Sequence, residues 1–245
     1  MISATHIFKA FHGENVLNGV TVEVPSGSLV AVVGPSGAGK TTLLNVVAGV
    51  LAADKGSVRL GPDSRLGYML QEPALLPWRT LDENTRLGLE LADNVTNLAP
   101  EFVDTLFREF DLNGAQRKYP AQCSLGMQQR AALIRTLAIE PTILLLDEPF
   151  SSLDYDIKLR AQMNLAHYID RNRPAVLLVT HDIEDAIALA DTVIVMSEKP
   201  AIVKAKIQIN LSLPKRDPVA ARTSLKFREY FEAIWQHLKY LPSQC

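Results

Sequence analysis

Eight consecutive residues, Gly34-Pro35-Ser36-Gly37-Ala38-Gly39-Lys40-Thr41, carry glycines, a lysine and a hydroxyl at the spacing G-x-x-x-x-G-K-[ST]. Residues of these types at this spacing suit one chemistry, the binding of a polyphosphate. Gly34, Gly37 and Gly39 have no Cβ, so the backbone can take positive φ and wrap closely around phosphate oxygens. Its N–H groups then point inward as a nest, at the positive end of the helix that follows. Lys40 reaches the β- and γ-phosphates, the Thr41 hydroxyl is a ligand for Mg²⁺, and Thr42 follows it in the same cradle. A second pair, Asp147-Glu148, closes the apolar run Ile143-Leu144-Leu145-Leu146. A strand of an open α/β sheet that ends in two carboxylates delivers both to the edge where ligands bind. Asp147 would hold Mg²⁺ through water, and Glu148 would polarise an attacking water. Either motif alone could be a glycine-rich turn or a strand with solvated acids. Together they imply a site for a nucleoside triphosphate with Mg²⁺.

These residues have to be positioned, and the chain's patterning says how. Residues 5–9 and 16–24 read as strands, and the second alternates apolar and polar residues over its last half, as a half-exposed antiparallel strand does. The buried run Leu29–Val33 feeds the phosphate loop, and a helix is expected over Thr41–Leu51. Short strands follow at Ser57–Leu60 and Leu66–Leu70. From Leu81 to about Ala138 the pattern turns helical. Phe102, Val103, Leu106, Phe107 and Phe110 share one face, and Ala131, Ala132, Ile134, Arg135 and Ala138 recur more weakly. The aromatics read as core. Strand Thr142–Leu146, helix Tyr155–Arg171, strand Ala175–Thr180, helix Ile183–Ala190 and strand Thr192–Met196 then predict a parallel sheet with crossover helices. A further strand over Ile202–Ile209, the linker Leu213–Pro218 and a closing helix over roughly Val219–Leu238 complete the expectation.

Composition narrows the function classes. A chain of 245 residues can make one α/β domain or a domain with a small appendage, and 47% hydrophobic content supports a sizeable core. A net charge of −2 without a basic stripe gives no case for a nucleic-acid partner. Two cysteines, Cys123 and Cys245, make neither a disulfide framework nor a metal spacing, which suits a reducing cytosol. No signal peptide and no run of about eighteen apolar residues is visible, so a membrane role is expected to come through a partner.

Further along, the residues carry a family resemblance over nearly the whole chain. It resembles the ATP-binding subunit of ABC transporters. Gln71 in Tyr68-Met69-Leu70-Gln71-Glu72 is similar to the Q-loop. Cys123-Ser124-Leu125-Gly126-Met127, followed by Gln128-Gln129-Arg130, stands where the signature L-S-G-G-Q belongs. Ser151-Ser152-Leu153-Asp154 is similar to the D-loop, and His181 in Thr180-His181-Asp182 to the switch histidine. The resemblance implies an α/β P-loop NTPase fold: a central, mostly parallel sheet, an antiparallel β subdomain at the front and an inserted helical subdomain, about 81–138. It implies an ATPase domain over 1–213 and a short helical extension over 214–245. Phe11 would stack on adenine. Two copies would pair head to tail, so that Ser124, Gly126 and Met127 of one meet the triphosphate held by the other while Asp154 reports across the dimer. Gln71 would contact Mg²⁺ or the water, and His181 the γ-phosphate.

The signature departs from its pattern at Cys123, Leu125 and Met127. Leu125 is harmless if its φ is negative and it points away, and costly if a positive φ is required. The loop Pro73-Ala74-Leu75-Leu76-Pro77-Trp78-Arg79 sets leucines and a tryptophan between prolines. It is expected at the surface, with a tryptophan fold-back into the core as the alternative. The resemblance makes Gln71–Arg79 the contact with a membrane permease, and an importer of nitrate, sulfonates, taurine or related solutes the nearest group. A solute-binding protein would act indirectly, and the subunit would sit at the cytoplasmic face of the inner or plasma membrane. An exporter, an ABC-type ATPase acting on nucleic acid and a small-molecule kinase are the other readings.

Overall fold

Two long strands open the chain, β1 (Ile2–Phe11) and β2 (Glu14–Val24), paired antiparallel. Val20, Val22 and Val24 are buried while Thr21 and Glu23 are not, as the alternation requires. β3 (Leu29–Val33) is buried at every position and runs into the phosphate loop and α1 (Lys40–Val47). The helix is shorter than its sequence suggests, because Gly49 takes φ 73 and ends it. β4 (Lys55–Leu60) pairs with the other edge of β1, giving a three-stranded antiparallel sheet. β5 (Leu66–Met69) returns to the main sheet. The computed structural model describes residues 1–91, 100–213 and 216–239. Residues 92–99 of the expected helical subdomain, residues 214, 215 and 240–245 of the expected extension, and Cys245 with them, lie outside the described residues.

The helical stretch comprises α2 (Leu81–Thr85), α3 (Leu87–Leu91), α4 (Pro100–Glu109) and α5 (Leu125–Ala138). Thr80 and Glu83 form a capping box at the start of α2, worth about 1 kcal/mol. Val103, Leu106, Phe107 and Phe110 are buried, as their helical spacing predicts. Arg135 departs from the expected apolar face. It is half-buried, and its guanidinium leaves the core to bind backbone carbonyls elsewhere.

The body then alternates β6 (Ile143–Asp147), α6 (Tyr155–Asn172), β7 (Ala175–Val179), α7 (Ile183–Leu189) and β8 (Thr192–Met196). The edge strand β9 (Val203–Gln208) runs antiparallel to β8, which a succession of crossovers did not announce. The six-stranded order is β5-β6-β7-β3-β8-β9, with the first five parallel. The predicted closing helix is two helices, α8 (Pro218–Thr223) and α9 (Leu225–Leu238), parted where Ser224 adopts ψ 137.

Continuous apolar runs make sense because both faces of the large sheet are covered. Leu29, Ala31 and Val33 of β3 face a core built with α4 to α7, whereas Val30 and Val32 face one built with α1 and the antiparallel sheet. The carboxyl ends of β3, β6 and β7 therefore share one edge, with β7 between the other two.

Candidate functional site

A cleft of about 310 Å³ opens at that edge. Its lining includes Phe11, Ser36 to Thr42, Gln71, Asp147 and Glu148, so residues from three separate motifs and the first strand converge. Gly37 and Gly39 have φ 76 and φ 86, the left-handed turns that expose their N–H groups. Gly34 differs from the expectation. It has no positive φ; it is required because a Cβ would come within 3.1 Å of the Met196 carbonyl oxygen at the end of β8. Neither Gly34 nor Pro35 is among the lining residues. Instead, their carbonyls accept hydrogen bonds from Lys40 Nζ at 2.9 and 3.0 Å. Burial pulls the Lys40 ammonium below its ordinary pKa, and the charges of Glu148 and Asp147 push it back. An ammonium held this way is a strong partner for phosphate oxygens.

Thr41 Oγ1 donates to Asp147 Oδ2 at 2.6 Å. Asp147 is 1% exposed, and its other oxygen, Oδ1, is buried without a hydrogen-bond partner. Burial raises this carboxyl, against the Thr41 hydrogen bond and the Lys40 charge. A hydroxyl beside a buried carboxylate with an unused oxygen fits Mg²⁺, which takes one or two protein oxygens and completes its shell with water and phosphate. Gln71 is exposed at the same cleft. Phe11 is 41% exposed on the cleft, with Lys9 Nζ 5.5 Å from its ring centre, so it is not a core phenylalanine.

Glu148 is the first residue past β6, and it turns to φ 50. Its N–H still donates to the Val179 carbonyl of β7 at 2.9 Å, so the turn is fastened to the sheet. Because β7 neighbours β6, His181 arrives alongside, and its Nδ1 lies 2.8 Å from Glu148 Oε2. A carboxylate next to an imidazole can take a proton from water and share the charge.

The signature stands apart from this cleft. Ser124 is the N-cap of α5 and accepts from Met127 N–H at 3.3 Å. Ser124, Leu125 and Asp154 are exposed, and none of Ser124, Gly126, Met127 and Asp154 lines the cleft. Leu125 is the first helical residue, has no positive φ and is 54% exposed, so the departure strains nothing. Gly126 has a packing reason to be glycine, since a Cβ would meet Leu153 and the Ser152 carbonyl oxygen at 3.2 Å.

Trp78 is 71% exposed, which excludes the fold-back alternative. Its loop is built from beneath. The fully buried Asn84 side chain accepts from Leu76 N–H and donates to the Leu76, Arg79 and Thr80 carbonyls. Arg135 donates to the Pro73 and Ala74 carbonyls at 2.7 and 2.8 Å. Sequence reasoning missed Asn84, and also Lys199 on the cleft wall, because nothing in their own spacing marks them, and it read Arg135 only as part of a helix face.

Fold and cleft define a P-loop nucleoside triphosphatase. Residues 17–151 match the family model described as ABC transporter. Over 228 residues the chain is 39% identical to the uncharacterised ABC transporter ATP-binding protein YtlC of Bacillus subtilis, covering 91% of this chain and 88% of that one. It is 38% identical to the aliphatic sulfonates import ATP-binding protein SsuB 2 of Burkholderia cenocepacia (91% and 84% covered). It is 36% identical to the taurine import ATP-binding protein TauB of Escherichia coli O157:H7 (86% of each). Among solved structures, the dimeric MJ0796, a bacterial ABC transporter cassette, superposes with a TM-score of 0.77 at 25% identity, covering 86% of this chain and 99% of that one. The chain belongs to the ABC transporter family and is one of its ATP-binding, ATP-hydrolysing subunits.

Proposed function

We propose that the chain is the motor subunit of an importer for nitrate-, sulfonate- or taurine-like solutes, working as a pair of copies around two ATP molecules beneath a membrane permease. The observation that carries this reading is the division of the site. Lys40, Thr41, Asp147 and Glu148 gather at one cleft, with His181 set against Glu148 beside it, while Ser124 and Asp154 stand exposed away from it. A second copy, turned head to tail, would bring Ser124 and the N-terminus of α5 to the γ-phosphate, where the helix end favours negative charge. The dimeric relative supports this arrangement, and the import relatives support the direction and solute class.

In this reading the glycine loop and Lys40 bind the β- and γ-phosphates, and Phe11 stacks on the adenine. Thr41 and Asp147, with Gln71, would hold Mg²⁺, which neutralises phosphate charge when bound. Glu148 takes a proton from water as the water oxygen bonds to the γ-phosphorus and the bond to the bridging oxygen of ADP breaks. His181 holds the carboxylate and contacts the γ-phosphate. Most of the acceleration comes from positioning and charge. Residues 1–213 form the ATPase unit and 214–245 an extension. Among the described residues no helix is long and apolar enough to cross a membrane. Trp78 on its braced loop is the proposed permease contact, and the import relatives support a position at the cytoplasmic face.

Glu148→Gln tests the core of the reading. The variant is expected to bind ATP with wild-type affinity, lose hydrolysis by at least about a hundredfold and accumulate as an ATP-bridged dimer in size-exclusion chromatography. A variant that stays monomeric when saturated with Mg²⁺ and ATP, even beside its permease, would count against the shared site.

A further inference from the structure

We propose that Gln129 is a positioning residue for hydrolysis. Its amide holds the Glu148 backbone in the turn that aims the carboxylate at His181. The proposal rests on the role given to Glu148 above and adds the group that keeps it in place.

Gln129 belongs to the run Gln128-Gln129-Arg130 on α5, and the three side chains have separate tasks. Gln128 Nε2 donates to the Pro120 and Cys123 carbonyls, fastening the approach to the signature. Arg130 donates to the Phe110, Asp111 and Gly126 carbonyls, fastening the end of α4. Of the three, Gln129 alone points to the end of β6. It is 1% exposed. Its Nε2 donates to the Glu148 carbonyl at 2.8 Å and lies 3.3 Å from Ser151 Oγ, and its Oε1 accepts from Ser152 N–H at 3.0 Å.

These bonds matter because of the backbone they meet. Glu148 at φ 50 occupies a region that residues with a Cβ avoid, so surrounding contacts must enforce it. On the amide side Val179 does so. On the carbonyl side the Ser151 hydroxyl and N–H lie at 3.1 and 3.3 Å, and the Gln129 amide is the shortest contact. Without that donor, only the longer Ser151 contacts hold the carbonyl side of the turn, and the carboxylate is fixed less firmly against His181. Gln129 also lies on the same helix as the cap Ser124, so the segment that would meet a partner's triphosphate is tied to this chain's own Glu148.

Two full-length variants test the assignment. Gln129→Met keeps the length and removes donor and acceptor. Gln129→Glu keeps an acceptor for Ser152 N–H but loses the donor until its carboxyl is protonated. For Gln129→Met we expect kcat to fall at least about tenfold, while KM and MgATP affinity stay within about twofold. Gln129→Glu should fall similarly near pH ~8 and recover several-fold toward pH ~6, where a protonated carboxyl again donates to the Glu148 carbonyl. Gln129→Met should show no such recovery. In a Glu148→Gln background, Gln129→Met should lower the residual turnover no further.

Wild-type kcat in Gln129→Met would overturn the proposal. So would parallel loss of nucleotide affinity and kcat in both variants, or a Gln129→Glu pH profile that follows wild type, because each is what a merely structural glutamine gives. An additive loss in the double variant would also overturn it. Full hydrolysis by Glu148→Gln itself, with Gln129→Met impaired, would instead sink the role of Glu148.

Discussion

Glu148 and Leu125 show how far a single residue's meaning depends on its backbone. At Glu148 a left-handed φ of 50 puts a glutamate where glycine would be easier, at a cost of order 1–3 kcal/mol, and the carboxylate meets His181. At Leu125 the motif's glycine is absent without strain, because the residue begins a helix and faces outward. Leu125→Gly is therefore expected to change ATP turnover by less than about tenfold and to lower stability by no more than about 1 kcal/mol, the helix preference of the replaced residue. Steady-state ATPase assays and urea unfolding would check this, and a larger gain in turnover would show that the leucine impairs the signature.

Among the elements, the loop over residues 71–80 is the clearest case of an exposed surface that is nevertheless held in one shape. Asn84 and Arg135 satisfy its carbonyls from below, so Trp78 is presented outward on a braced support. Trp78→Ala is expected to weaken association with the permease in a pull-down by about tenfold or more, as loss of an interface tryptophan does, and to leave ATP affinity unchanged. Loss of ATP binding instead would detach this loop from the membrane side.

Helices α6, α7 and α8 meet through buried charge. Lys158 Nζ bridges Asp182 at 2.6 Å and Asp185 at 2.8 Å, and Arg222 donates to Asp185 at 3.0 Å, which stitches α8 to the segment after His181. Burial alone would raise the Asp182 carboxyl, but the Lys158 hydrogen bond and charge and the N–H groups of α7 outweigh it and hold it low. Its stabilising contribution is thus present above its unfolded pKa and fades as pH falls through the lower folded value. Burial lowers Lys158, but its hydrogen bonds and its two acids win and raise it, so its contribution persists until pH rises through that higher value. Burial, the leading effect, raises Asp185. Lys158→Met should cost about 1–3 kcal/mol near neutral pH by leaving the carboxylates underpaired, less than a fully buried pair would, because Arg222 still meets Asp185 and the N–H groups of α7 still meet Asp182. Because protonation relieves them, urea unfolding should show that cost shrinking as pH is lowered toward ~4.

For the whole molecule, two cores on either side of one sheet fix where every motif ends up. The strands, most helices and the phosphate-binding and acidic motifs were legible in sequence, because period and turn chemistry are local properties. The antiparallel placement of β9 and the break at Ser224 were not: β9 turns straight back along β8 across residues 197–202 instead of crossing over, and the closing helix parts where Ser224 leaves helical ψ. The need for glycine at position 34 was legible only as a motif; its cause, the approach of Met196, joins residues far apart in the chain.

By itself the sequence determined which chemistry the chain carries, because spacing along a chain decides whether a loop can cradle phosphate and whether a strand can end in two acids. Only the tertiary structure decided which residues make that chemistry precise in space: the histidine against Glu148, the glutamine behind its carbonyl, the outward Trp78. Parallel neighbouring strands bring their ends together however long the intervening chain. No one-dimensional spacing records that adjacency.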